Sequence, residues 1–324
     1  MPRYAIAIDV DKCVGCYNCF LACRDEFAGN DYPGYSAAQP AAGGNWIKVK
    51  EVERGAYPHV KVEYIPLTCC HCDDAACVRL DRTGAVYRRP DGIVLIDPEK
   101  AKDNKGLLNA CPYRRIEWNE ALGLPQKCTM CAHLLDAGEA EPRCVESCPS
   151  GALVFGDLDD PESAVSKLTA SGGFGPLNGE FGIGEKVVYR GLPKKFVAGT
   201  VVYGDISEAA AGIEVQLSGP HGPKSPTDPH GPDSPESSTG PDSPNGPNGL
   251  HALTDPHAPT GPEASLSTLT DGFGDFEFEG LPKNTVFTVH IQAAGYKSLS
   301  LEAKTSRDLY LGEIVLFKER EDRQ

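Results

Sequence analysis

The sequence predicts two unlike parts, a cysteine-bearing α+β module followed by an all-β sandwich, and three observations carry the prediction. All 13 cysteines lie between Cys13 and Cys148, and the remaining half of the 324 residues has none. The run D-K-C-V-G-C-Y-N-C-F-L-A-C sets Cys13, Cys16, Cys19 and Cys23 in C-x2-C-x2-C-x3-C spacing. That spacing holds a 4Fe–4S cluster through three thiolates and lends the fourth to a second cluster. Beyond residue 195 the chain turns to short alternating strands between turn residues, the pattern of a sandwich.

Composition narrows the function. Hydrophobic content of 40% and charged content of 24% suit a folded chain. A net charge of −15 excludes a nucleic-acid partner, whose backbone wants a basic surface. Confining the cysteines to one part argues for a cofactor and against disulfide staples. No apolar run approaches the ~20 residues of a membrane span, so direct membrane insertion is not expected. The opening M-P-R-Y-A-I-A-I-D-V lacks the charged-then-apolar pattern of a signal peptide. A cytoplasmic location follows as the expectation, with export beside a signal-bearing partner as the alternative.

Residues 4–10 alternate and predict a strand leading into the first cysteine loop, where Gly15 supplies the tight turn. Residues 21–27 predict a short helix. A Gly- and Pro-rich surface loop follows over 29–57, closed by a strand around 46–52, with Trp46 expected as a packed aromatic. The second cysteine group, C-C-H-C-D-D-A-A-C, offers Cys69, Cys72 and Cys77 as a C-x2-C-x4-C loop and leaves Cys70 as a free thiol. His71 is expected to pack or face solvent, with tuning of a cluster as the rival role. The stretch G-A-V-Y-R-R-P-D-G-I-V-L-I-D-P-E-K predicts a hairpin, and Cys111-Pro112 resembles the end of a ferredoxin run. The last group holds Cys128, Cys131, Cys144 and Cys148, followed by Pro149. Taken alone, this group also suits a structural zinc.

Ferredoxin modules exchange their fourth cysteine in pairs, and this gives three ligand sets. Cluster 1 takes Cys13, Cys16, Cys19 and Cys148. Cluster 2 takes Cys128, Cys131, Cys144 and Cys23. Cluster 3 takes Cys69, Cys72, Cys77 and Cys111. Counting back from Cys111 and forward from Cys77 lands on Ala101, Asn104, Leu107 and Asp81, the four vacated positions of a missing cluster. Twelve cysteines thus serve three 4Fe–4S clusters, and Cys70 is left over.

The predicted organisation is a cluster domain over 1–158, a connector over 159–194 with a short helix at 161–168, a sandwich of about seven strands over 195–318 and a charged tail at 319–324. A Pro/Gly-rich insertion interrupts the sandwich at about 219–264, and it is expected to be disordered. Closing so long a loop costs only the logarithm of its length. No Ser/His/Asp set, paired acid or phosphate loop suggests catalysis in this chain. The Gly-rich 173–184 follows no strand and opens no helix, so it fails the dinucleotide context.

The ordered motifs C-x2-C-x2-C-x3-C, C-x2-C-x4-C, C-P-Y and K-C-T-M-C-A-H…C-x3-C-P resemble the iron–sulfur subunits of the dimethyl sulfoxide reductase family of molybdopterin oxidoreductases. The resemblance implies an α+β ferredoxin-like module with duplicated 4Fe–4S motifs and an electron-transfer role. It also implies a large catalytic partner carrying molybdenum or tungsten on two pterin guanine dinucleotides, and leaves room for an oligomer of that heterodimer. The chain departs from the usual four-cluster pattern by one cluster and by its sandwich, which is similar to transthyretin-like or carboxypeptidase-regulatory-like domains. That combination resembles small subunits serving phenol hydroxytransferases and catechol dehydroxylases. A reductase linked to a membrane quinol-oxidising subunit is the alternative, and a zinc-bearing structural or adhesive protein is the reading from another class.

Overall fold

A computed structural model describes residues 1–219 and 264–319. The expected insertion and charged tail lie outside the described residues, save for Gly219, Ala264 and Glu319 at their ends. The chain divides into two compact units, Met1–Arg54 with Lys61–Pro193, and Gly55–Val60 with Lys194–Gln324.

The first unit begins with β1 (Tyr4–Asp9) and α1 (Asn18–Phe27). Then come β2 (Lys48–Ala56), whose last two residues fall in the second unit, and β3 (His59–Leu67), whose first two do. After them run α2 (Ala76–Leu80), β4 (Val86–Arg88), β5 (Val94–Ile96), β6 (Glu117–Asn119) and β7 (Leu124–Gln126). The unit closes with α3 (Ala132–Asp136), α4 (Arg143–Glu146), β8 (Leu153–Asp157), α5 (Ala164–Ala170) and β9 (Val187–Arg190).

β1 is the axis of this unit, pairing antiparallel with β8 and parallel with β9 in the order β8-β1-β9. Its alternation sorts residues by size. Ile6 and Ile8 enter the main core with Cys19, Cys23 and Cys131, while Ala5 and Ala7 face Val165 of α5. The two alanines leave room for that helix to lie close against the sheet. The stretch expected as a connector over 159–194 therefore belongs to the first unit as far as Pro193. It contributes α5 over one face of β1 and β9 along its edge.

The second unit holds β10 (Lys195–Tyr203), β11 (Glu208–Ala209), β12 (Glu214–Gly219) and β13 (Ala264–Leu269). It continues with β14 (Asp275–Leu281), β15 (Val286–Ile291), β16 (Leu299–Lys304) and β17 (Leu309–Leu316). One sheet centres on β10, with β11 and β14 antiparallel along one edge and β17 parallel along the other. The other runs β13-β12-β15-β16, all antiparallel. Val197, Val201, Val215, Leu217, Phe276 and Val289 from both sheets share one core, as alternating strands of a sandwich require. The eight strands among the described residues are one more than the pattern suggested. Among the described residues no helix is long and apolar enough to cross a membrane.

Candidate metal centres

All 13 cysteines are free thiols, and the folding of the first unit gathers them at three places. Burial chiefly, and then the charge of Cys13, push the Cys19 thiol up to about 12, with smaller effects from Cys148 and Cys16. Cys13 is raised by burial and by the same Cys148 and Cys16. The β1–β8 register is the cause of this meeting: Ile8 lies opposite Leu153, which puts the loop after β1 beside the loop before β8.

The second gathering uses the far end of the same helix. Cys19 and Cys23 lie four residues apart on α1, on one face and about 6 Å apart along the axis. α1 packs against α4, which carries Cys144. Burial raises Cys23 well above the ordinary thiol range, helped by Cys128 and Cys131. Cys144 is raised in the same way, with Cys131, Cys128 and Cys23 as its charged neighbours.

The third gathering is a cavity lined by Cys69, Cys72, Cys77 and Cys111, together with Cys70, His71 and Lys127. Burial first, then Cys69, Glu185, Cys111 and Cys77, push Cys72 up to about 12. Cys70 is buried at 2% exposure, and its Sγ lies 3.9 Å from the Thr68 carbonyl oxygen. It shares the wall of the cavity with the cysteines from which the sequence separated it.

The backbone around the thiols is bent so that its N–H groups turn toward sulfur. Residues in the left-handed region recur in the cysteine loops: Gly15, Tyr17, His71, Arg114, Met130, Cys131 and Gly151. Successive N–H groups in such bends form a concave nest for an anion. The Met130 N–H donates to Cys128 Sγ at 3.3 Å, while backbone N–H groups of Gly15, Phe20 and Arg143 favour charge on Cys13, Cys19 and Cys131. Non-glycine residues there carry a strain of order 1–3 kcal/mol each, which persists where the surroundings or a bound group over-determine the bend.

This donor set fits iron. Burial favours the protonated form of thiols such as Cys19, Cys23, Cys72 and Cys144, and bound metal reverses that preference by taking thiolate. Among the described residues no three His, Cys, Asp or Glu side chains converge tightly enough for a single metal ion.

Two of the four vacated positions are buried, and a cavity of about 400 Å³ beside them is lined by Leu80, Arg82, Thr83, Asn104 and Leu107. Ala101 and Leu107 are buried with Ala85, Val86, Ile96, Ala110 and Ile116 in a small apolar core. Asn104 starts a short 3-10 helix at 105–109. The Asp81 carboxylate accepts from the Val86 N–H at 2.8 Å and the Thr83 hydroxyl at 2.7 Å.

His71, expected to pack or face solvent, packs: it is buried at 1% exposure, and burial followed by the charges of Lys127 and Arg88 depresses its pKa far below the usual range. Other residues were missed from the sequence. Lys127 is buried at 3%. Its position beside Cys128 was the only available signal. Glu26 on α1 accepts from His133 Nε2, Arg143 Nε and the Tyr32 hydroxyl at 2.9, 2.9 and 2.5 Å, which ties α1 to the last cysteine group. Although burial pushes this carboxyl up, those hydrogen bonds bring it down to about 2.

Comparison with known proteins agrees with the geometry. Residues 60–158 match the 4Fe–4S dicluster domain family. The chain is 44% identical over 217 residues to the pyrogallol hydroxytransferase small subunit of Pelobacter acidigallici, covering 65% of this chain and 78% of that one. It is 33% identical to the arsenate respiratory reductase iron–sulfur subunit of Shewanella sp. strain ANA-3, over 58% of this chain and 95% of that one. With the B subunit of the anaerobic dimethyl sulfoxide reductase of Escherichia coli it shares 34% identity, over 52% of this chain and 80% of that one. A cysteine-lined unit with these relatives belongs to the electron-transferring iron–sulfur subunits of the dimethyl sulfoxide reductase family of molybdopterin oxidoreductases.

Proposed function

We propose that this chain is the electron-transfer subunit of a molybdenum or tungsten hydroxytransferase or dehydroxylase acting on pyrogallol-like phenols. It would work beside a large subunit that holds the metal on pterin guanine dinucleotide. The observation that carries the reading is the gathering of the thiols at three places, with Cys70 beside the four of the third. In it, Cys13, Cys16, Cys19 and Cys148 hold one 4Fe–4S cluster, Cys23, Cys128, Cys131 and Cys144 a second, and Cys69, Cys72, Cys77 and Cys111 a third. The iron–sulfur relatives support cubanes over the zinc ion weighed for the last group. The apolar packing of Ala101 and Leu107 supports three clusters over four.

When bound, such clusters supply one-electron relay at potentials set by burial and by hydrogen bonds to sulfur. The chain's own residues set both, since α1 and β1 exclude water and the bent loops aim N–H groups at sulfur. A hydroxyl moved between aromatic rings consumes no electrons overall, so the relay would prime the partner's metal. A reductase would draw on it at every turnover. The 44% relative is a hydroxytransferase small subunit, which favours the first case. The first unit is read as a ferredoxin-like module and the second as a transthyretin-like cover for the partner, with the complex cytoplasmic.

Metal analysis of the complex purified without air from its native host tests this. About twelve irons on this chain, with one molybdenum or tungsten in a co-purifying large chain, is the expected result. Zinc in place of iron, without a heavy metal, overturns the reading.

A further inference from the structure

His71 is held in one tautomer. The Val94 N–H donates to its Nδ1 at 3.1 Å, so that nitrogen carries the lone pair and the ring proton sits on Nε2. Nε2 is buried and has no hydrogen-bond partner among the described residues, yet His71 lines the cavity of Cys69, Cys72, Cys77 and Cys111. An unmet buried donor is costly, and the occupant of that cavity is the acceptor it lacks. Lys127 lines the same cavity. Its ammonium donates to the carbonyl oxygens of Val94 and Cys128, and among the described residues no carboxylate pairs with it. A buried cation without an anion is likewise incomplete. Its charge already favours thiolate on Cys77, Cys111 and Cys128. Two incomplete groups of complementary kind, fixed through the one residue Val94, converge on a site whose occupant is anionic.

We propose that His71 and Lys127 raise the reduction potential of the third iron–sulfur site, His71 by donating its Nε2–H to a sulfur of the bound cluster and Lys127 by balancing the charge gained on reduction. The inference rests on the reading of Cys69, Cys72, Cys77 and Cys111 as cluster ligands. Reduction brings one electron from a low-potential dye in the titration and adds one negative charge to the cavity. A donated hydrogen bond and a nearby cation both favour the more negative state.

The test is a potentiometric titration of the intact complex followed by electron paramagnetic resonance. His71→Leu lowers one of three midpoints by the equivalent of about tenfold in the reduction equilibrium, about 59 mV for a one-electron couple. His71→Asn, whose amide both accepts from Val94 and donates, restores it. Lys127→Met lowers the same midpoint and, through Cys128, that of the neighbouring site, while Lys127→Arg restores both. In wild-type protein labelled with 15N-histidine, the reduced third site shows a weak nitrogen coupling that His71→Asn removes. Full iron with unmoved midpoints overturns the proposal, as does a wild-type spectrum without histidine coupling. Absence of a third cubane signal from the wild-type protein overturns instead the reading on which it rests, so the two failures are told apart.

Discussion

Replacing Gly15 by alanine isolates what holds the first cysteine loop. Gly15 sits at φ +66°, and an added Cβ would lie 2.6 Å from ring atoms of Tyr64 on β3. The left-handed backbone costs a non-glycine residue about 1–2 kcal/mol, and forcing the methyl against the ring costs about 1–3 kcal/mol more. Gly84 separates these two effects. It has φ +70° and nothing within 4 Å of its ideal Cβ, so Gly84→Ala carries the strain alone. Each kcal/mol moves the melting temperature of a unit this size by about 2–4 °C. Calorimetry and iron analysis of the anaerobically prepared variants should therefore show Gly15→Ala melting below Gly84→Ala. Gly15→Ala should also lose up to about four irons, while Gly84→Ala keeps them all. Equal melting temperatures with full iron in both would refute the argument that Tyr64 closes over this turn.

Three further outcomes are expected. Cys70→Ser keeps its iron at about twelve, because Cys70 is the one cysteine outside the three ligand sets; a loss of about four irons would sink the assignment. Glu26→Gln lowers the melting temperature at neutral pH by removing the carboxylate shared by His133, Tyr32 and Arg143. Because the folded carboxyl is depressed from 4.5 to about 2, its stabilisation is full above pH 4.5 and fades as pH falls toward 2. Melting curves at pH 7, 6 and 5 should thus show a constant gap to wild type, and a gap that closes within that range would refute the depressed carboxyl. Gly274→Ala, whose Cβ would meet the Val201 carbonyl oxygen at 2.2 Å at φ +79°, should destabilise the second unit by about 3 kcal/mol or more and leave the iron content unchanged. Iron loss from that variant would contradict the confinement of its effect to the second unit.

The cysteine groups were legible because they are written locally, as thiols two or three residues apart on a tight loop. β1 was legible for a similar reason, since Ala5, Ile6, Ala7 and Ile8 alternate in size. β3 was not, because Gly55 and Pro58 read as the end of the strand region and Val60 and Val62 stay about half exposed. β6 and β7 are three residues each, and Pro125 within β7 argued against a strand. β9 was hidden in Gly- and Ser-rich surroundings, and only its parallel pairing with a strand far away in sequence makes it one. The tautomer of His71 depends on Val94 across a hairpin, a contact that spacing alone does not encode. Glu26 was unreadable for the same reason, as its partners His133 and Arg143 come from the far end of the unit.

The register of β1 against β8 has a temporal consequence. A ribosome releases β1 and the first cysteine run early, yet Cys148 and the strand that brings it home emerge only after most of the unit has been made. The first and last thiol groups must therefore wait in partly assembled form, whereas Cys69, Cys72, Cys77 and Cys111 are all available within a much shorter stretch of nascent chain. Closing a short stretch costs less entropy than closing a long one. With the ligand sets proposed above, the third site could close first and the site that begins the sequence last.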